Sequence, residues 1–120
     1  MPFNYLLTNL LVDVPEAVGA IFLDPEGEAV DYVTRHGDPY DLKVEGAYHS
    51  IFYRRIQQAS HSLDTGGIDS YVIDGRRLTA LTQSLPDGYY VVLVMHREGS
   101  RARALHHLRR ACSAIARELV

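Results

Sequence analysis

Residues 38–67, DPYDLKVEGAYHSIFYRRIQQASHSLDTGG, decide how the chain is built. Their spacing predicts one long amphipathic helix from Tyr40 to Leu63. Asp38 is suited to cap it, Pro39 to start it, and Asp41 to meet the positive end of its dipole. Asp64-Thr65-Gly66-Gly67 is a natural exit. Between these ends Val44, Ala47, Tyr48, Ile51, Phe52, Ile56, Ala59 and Leu63 are apolar. At about 100° per residue they fill an arc of roughly 180°. A helix lying on one sheet needs only a little over about 100°. The rest of the arc asks for a second surface. Arg55 falls near the middle of this arc, where a guanidinium either snorkels outward, reaches an acid, or serves an interface.

Working outward, Phe3 to Val12 reads as a short helix ended by Pro15. Val18 to Leu23 is a mostly apolar run, as in a strand buried on both faces. Asp24-Pro25-Glu26-Gly27 is a type I turn into a more exposed edge strand, Glu28 to Thr34. Arg35 to Pro39 reads as loop. Beyond the long helix, Ile68 to Ile73 is a strand, and Asp74-Gly75 predicts a type I′ hairpin turn. Arg76 to Leu85 returns, Pro86-Asp87-Gly88 turns again, and Tyr89 to Met95 is the most apolar strand, expected at the sheet centre. Ser100 caps a last helix with Leu105, Leu108, Cys112, Ile115 and Leu119 on one stripe. Strands joined by tight turns run antiparallel. The expected fold is therefore α+β, an α/β sandwich with one five-stranded, mostly antiparallel sheet and helices on both faces. Residues 1–120 form a single domain in this reading.

Composition is that of an ordinary globular domain, with 47% hydrophobic and 22% charged residues. No apolar run approaches the roughly 20 residues of a transmembrane helix, and no basic leader precedes one. Cys112 is the single cysteine, which excludes an intrachain disulfide and fits a reducing compartment. Cytoplasm is the expected location, without integral membrane association. The net charge of −3 is unevenly spread. Acids crowd the stretch from Asp13 to Glu45, while Arg97, Arg101, Arg103, Arg109, Arg110 and Arg117 sit near the end. The acidic region argues against a nucleic-acid partner. The basic end is suited to an acidic partner or an anionic membrane, or is simply a solvated helix face.

Catalytic motifs are missing. There is no phosphate-binding GxxxxGKS loop, no GxGxxG, no HExxH and no CxxC. The chain is expected to be no enzyme and to carry neither cofactor nor metal. His106 and His107 are adjacent on a helix and point apart, and His49 and His61 are too widely spaced for one ion. Cys112 lies within an apolar stripe and reads as a core thiol. The pairs Arg54-Arg55 and Arg76-Arg77 are the candidates for an arginine offered to a GTPase.

The early hairpin VGAIFLDPEGEAVDYV, the meander IDSYVIDGRRLTALTQSLPDGYYVVLVM and the leucine-spaced last helix together resemble the roadblock/dynein light chain family. The match covers essentially the whole chain and is one of element order and hydrophobic pattern. That family is related in fold to longin and profilin-like domains. The resemblance implies strand order 2-1-5-4-3, the long helix on one face and the terminal helices on the other. It implies a homodimer in which the long helices pair and the third strands join edge to edge. It also implies a small Ras-like GTPase as partner, regulated or scaffolded without an inserted arginine. On this reading Val44, Ala47, Ile51 and part of the arc lie on the sheet. The dimer and partner surface is Tyr48, Ile51, Phe52, Arg55, Ile56 and Ala59 of the helix with Ile68, Ser70 and Val72 of the third strand, Ile51 standing in both sets. The alternative is a sensory or ligand-binding module of the PAS or GAF type, which requires an apolar pocket with converging polar groups.

Overall fold

The computed structural model describes residues 2–35 and 39–119. The elements are α1 (Pro2–Asp13), β1 (Ala17–Leu23), β2 (Ala29–Thr34), α2 (Pro39–Ser62), β3 (Ser70–Asp74), β4 (Leu78–Ser84), β5 (Tyr90–His96) and α3 (Arg101–Glu118). A short 3-10 turn, Pro86–Gly88, joins β4 to β5. The strands form one sheet in the order β2-β1-β5-β4-β3, and every neighbouring pair is antiparallel. This is the expected order, with the apolar β5 at its centre.

Alternation along the strands builds two cores. Ala20 and Phe22 of β1 and Val91, Leu93 and Met95 of β5 point to the face covered by α1 and α3, where Leu7, Leu10, Leu108 and Ile115 pack. Ile21, Leu23, Val92 and Val94 point to the other face with Leu42 and Tyr53 of α2. The helices thus divide as the resemblance implied, two on one side and one on the other.

The ends of the elements follow local chemistry. Ser100 caps α3, its hydroxyl accepting from the Arg103 amide at 3.2 Å. Asp24 organises the β1–β2 turn, its Oδ1 accepting from the amides of Glu26 and Glu28, both at 2.9 Å. Gly27 there has φ +86°, and a Cβ on it would lie 2.4 Å from Cβ of Ser50 in α2. Arg35, in the loop after β2 as expected, clamps the end of α1. Its guanidinium donates to the carbonyls of Leu11, Val14 and Ala17 around the helix end and the following turn, Val14 also accepting from the Ala17 amide at 3.0 Å.

Three expectations change. The left-handed pair is absent from Asp74-Gly75 and falls at Asp87 (φ 63°) and Gly88 (φ 85°). The β3–β4 register pairs Asp74 with Thr79, and the Gly75 amide donates to the Leu78 carbonyl at 2.8 Å, so the hairpin turns at Arg76-Arg77 instead. Gly75 serves close approach there, since a Cβ would lie 2.8 Å from the Leu78 carbonyl. Second, β3 begins at Ser70, so Ile68 precedes the strand. Third, β4 begins at Leu78 rather than Arg76. The Asp38 cap lies outside the described residues.

Candidate interaction surface on the long helix and the edge strand

The residues of α2 that face the sheet are mostly small or polar. Leu42, Gly46, His49, Ser50, Tyr53 and Ser60 are buried. At about 100° per residue their arc is centred roughly opposite the apolar one. Gly46 lets the helix come close, because a Cβ there would lie 3.0 Å from Ile21 Cδ1 and 3.2 Å from Leu23 Cδ2.

Directional bonds hold this seat. His49 is 2% exposed. Its Nδ1 lies 2.9 Å from the Tyr71 hydroxyl of β3, and its Nε2 lies 3.2 Å from Glu45 Oε1. Nε2 donates to the carboxylate, and Nδ1 shares a hydrogen bond with the phenol. The His49 hydrogen bond, helped by the charge of the ring, holds the Glu45 carboxyl below its ordinary 4.5 against the opposing effect of burial. Further along, the Ser84 hydroxyl donates to the Ile68 carbonyl at 2.8 Å, so the Tyr53 hydroxyl, 2.8 Å away, donates to Ser84. The Tyr53 ring meets Tyr90 edge-on at 4.3 Å. At the helix end the Gly67 amide donates to Ser60 Oγ at 3.2 Å.

The apolar arc consequently faces outward. Tyr48 is 58% exposed, Ile51 48% and Phe52 41%. Arg55 and Ala59 are exposed and Ile56 is half-buried. Ile51 is therefore not on the sheet, which corrects one half of its double placement. The side chains of Val44 and Ala47 lie outside the described residues. The physical reason for the inversion is that burial on this sheet follows fit and hydrogen-bond satisfaction, not hydrophobicity alone. Among the described residues no carboxylate pairs with Arg55. With Ile51, Arg54 and Gln58 it surrounds an open notch of about 400 Å³.

β3 stands at the end of the sheet beside this arc. Directly opposite residues of an antiparallel pair share a face. Tyr71 pairs with Thr82 and Ile73 with Ala80, so these two side chains face α2. Ser70 pairs with Gln83 and Val72 with Leu81, which turns them toward the α1–α3 face. Ile68 is half-buried before the strand. The side chains of β3 nearest the exposed arc are thus Tyr71 and Ile73. Sequence reasoning had not selected either; period-two alternation combined with the β4 register carries the signal. It weighed His49 only as a metal ligand, although its position four residues after Glu45 is the sign of their pairing.

Burial raises the Cys112 thiol to about 12, which leaves it protonated and inert. Among the described residues, no three His, Cys, Asp or Glu side chains converge. No helix among them is long and apolar enough to cross a membrane.

This architecture is the roadblock/LC7 fold. The chain superposes on a Roadblock/LC7 domain from Streptomyces avermitilis with a TM-score of 0.88, at 18% identity and covering 96% of this chain and 95% of that one. It is similar in the same way to MglB of Myxococcus xanthus (TM-score 0.90, 9% identity, 99% and 95% covered) and to the gliding protein MglB of Thermus thermophilus (0.86, 19%, 96% and 86%). No family model matches the sequence, and no curated protein sequence does.

Proposed function

We propose that this chain is a non-enzymatic homodimeric regulator or scaffold of a small Ras-like GTPase. One observation carries the reading. The exposed apolar arc of α2 lies beside an unpaired sheet edge, which is what a second copy of the same two elements would cover. In this reading Tyr48, Ile51, Phe52, Arg55, Ile56 and Ala59 meet their counterparts across a two-fold axis. The β3 edges pair through the backbone of Ser70 and Val72, with Ile68 at the rim and Tyr71 and Ile73 nearest the helix pair. The likeness in fold to MglB and the Roadblock/LC7 domain supports the GTPase as partner. The pair would offer it a surface of α2 helices, with Arg54 and Arg55 exposed on it. The open notch beside Arg55 gives little support to a PAS- or GAF-like ligand site, which needs an enclosed apolar pocket.

Mass measurement in solution tests the assembly. A dimer is expected for the native chain and a folded monomer for Phe52→Glu, because a buried unpaired carboxylate is costly. A Phe52→Glu chain that remains dimeric overturns this division of α2. The partner is tested by single-turnover GTP hydrolysis, using a purified Ras-like GTPase from the same organism. Faster turnover identifies an activator, and binding without acceleration identifies a scaffold. The absence of both overturns the GTPase reading.

A further inference from the structure

The outward face of α3 carries three arginines in line. Arg103, Arg110 and Arg117 are seven residues apart, so they share one side of the helix and stand about 10 Å apart along it. All three are exposed, and among the described residues none makes an ion pair or hydrogen bond through its guanidinium. The other arginines of α3 behave differently. Arg101 pairs with Asp74, and Arg109 reaches Asp69 Oδ2 at 3.5 Å and Gln83 Oε1 at 3.4 Å. Those two lie toward β3 and tie the helix to the sheet edge.

A groove of about 210 Å³ runs between α1 and α3 beside this line. Leu6, Leu10, Ala111 and Ala114 line it, with Arg110 and Arg117 on one side. Asp13 stands at the groove too, where its Oδ2 lies 3.8 Å from His107 Nδ1. The small alanines admit a neighbouring backbone, while the arginine forks fit carboxylates two oxygens at a time. Of the 12 Lys and Arg residues in the chain, Lys43 alone is lysine.

We propose that the Arg103–Arg110–Arg117 line and the adjoining α1–α3 groove dock an acidic helical segment of a partner protein, one that carries carboxylates at seven-residue spacing. A helix laid along α3 repeats its outward positions at the same interval, so one acid meets each arginine. An anionic membrane is a poorer match. The apolar stripe of α3 built from Ala104, Leu108, Cys112 and Ile115 is buried on the sheet and inserts nothing into lipid. The site lies on the opposite side of the sheet from α2 and is independent of how α2 is covered.

The test uses the full chain and a designed helical peptide with glutamates at every seventh position, labelled for fluorescence anisotropy. Its counterpart has glutamines at those positions. The glutamate peptide is expected to bind, to weaken as salt rises, and to lose at least tenfold in affinity against the combined Arg103→Gln, Arg110→Gln and Arg117→Gln variant. The combined Arg101→Gln and Arg109→Gln variant, checked for native circular dichroism, is expected to bind as the native chain does. Equal binding of the glutamine peptide, or unchanged binding by the triple variant, overturns the proposal. So does sedimentation of the chain with phosphatidylserine vesicles without peptide binding, which assigns the line to a membrane.

Discussion

The imidazole Nδ1 of His49 lies 2.9 Å from the phenolic oxygen of Tyr71, which joins the middle of α2 to the edge strand β3. The rings lie nearly parallel, 18° apart, with centroids 6.0 Å apart. One buried contact thus fixes the relative position of the two elements that flank the exposed apolar arc.

Tyr71→Phe keeps the ring and removes the hydroxyl, leaving a buried imidazole nitrogen without its partner. The expected cost is about 1–3 kcal/mol. Urea denaturation measures it, and hydrogen exchange should show β3 losing protection before the central strands do. A variant as stable as the native chain with unchanged β3 protection would remove this contact from the account.

Glu45 predicts a pH dependence. Its folded-state value lies below the ordinary 4.5 because His49 donates to the carboxylate. A depressed value stabilises the fold fully above the unfolded value, and that contribution is lost as the pH falls through the folded one. Stability should therefore drop below about pH 4.5 more steeply for the native chain than for Glu45→Gln. Denaturation midpoints between pH 3 and 7 decide the matter, and parallel curves would show that the pair contributes nothing.

Gly27→Ala should be severe for its site. The position combines φ +86° with a Cβ site 2.4 Å from Ser50 Cβ. Either the turn or the centre of α2 must shift, at about 2 kcal/mol or more. The thermal midpoint reports it, whereas Gly66→Ala, with open space around its Cβ site, meets backbone strain alone.

Arg35→Ala removes the donors that reach three carbonyls between α1 and β1. The side chain is partly exposed, so water replaces some of the loss, and about 1–2 kcal/mol is expected. Arg35→Lys should recover only a fraction, because an ammonium cannot spread to three acceptors as a planar fork does. Equal stability of both variants and the native chain would argue against the clamp.

Much of the fold was legible in the sequence because periodicity reports which element forms. The order of elements, the central place of the strand read as Tyr89 to Met95 and the Ser100 cap follow from spacing, apolar runs and residue type. The orientation of α2 did not. Spacing put part of its apolar arc on the sheet, yet Gly46, His49, Ser50 and Ser60 are what the sheet receives. That inversion depends on contacts made across long stretches of chain, such as His49 with Tyr71, which helical spacing cannot report. The same limit explains Arg35, whose acceptors lie in α1 and at the start of β1. Turn chemistry misled at Asp74-Gly75 because the strand register, not the dipeptide, placed the turn at Arg76-Arg77. For the candidate surface, Tyr48, Phe52 and Arg55 were identifiable as a face in excess of what one sheet covers, whereas Tyr71 and Ile73 needed the register of β3.

The polar seat of α2 has a kinetic consequence. Hydrogen bonds from His49 and Tyr53 and the close fit at Gly46 set the azimuth of the helix inside a lone protomer. The outward face is then complete before any other molecule arrives. Whatever meets it, a second copy included, encounters a ready-made relief rather than a segment that must first fold. Association of that kind requires little rearrangement and is limited by encounter, so its speed follows protein concentration while folding of the protomer does not.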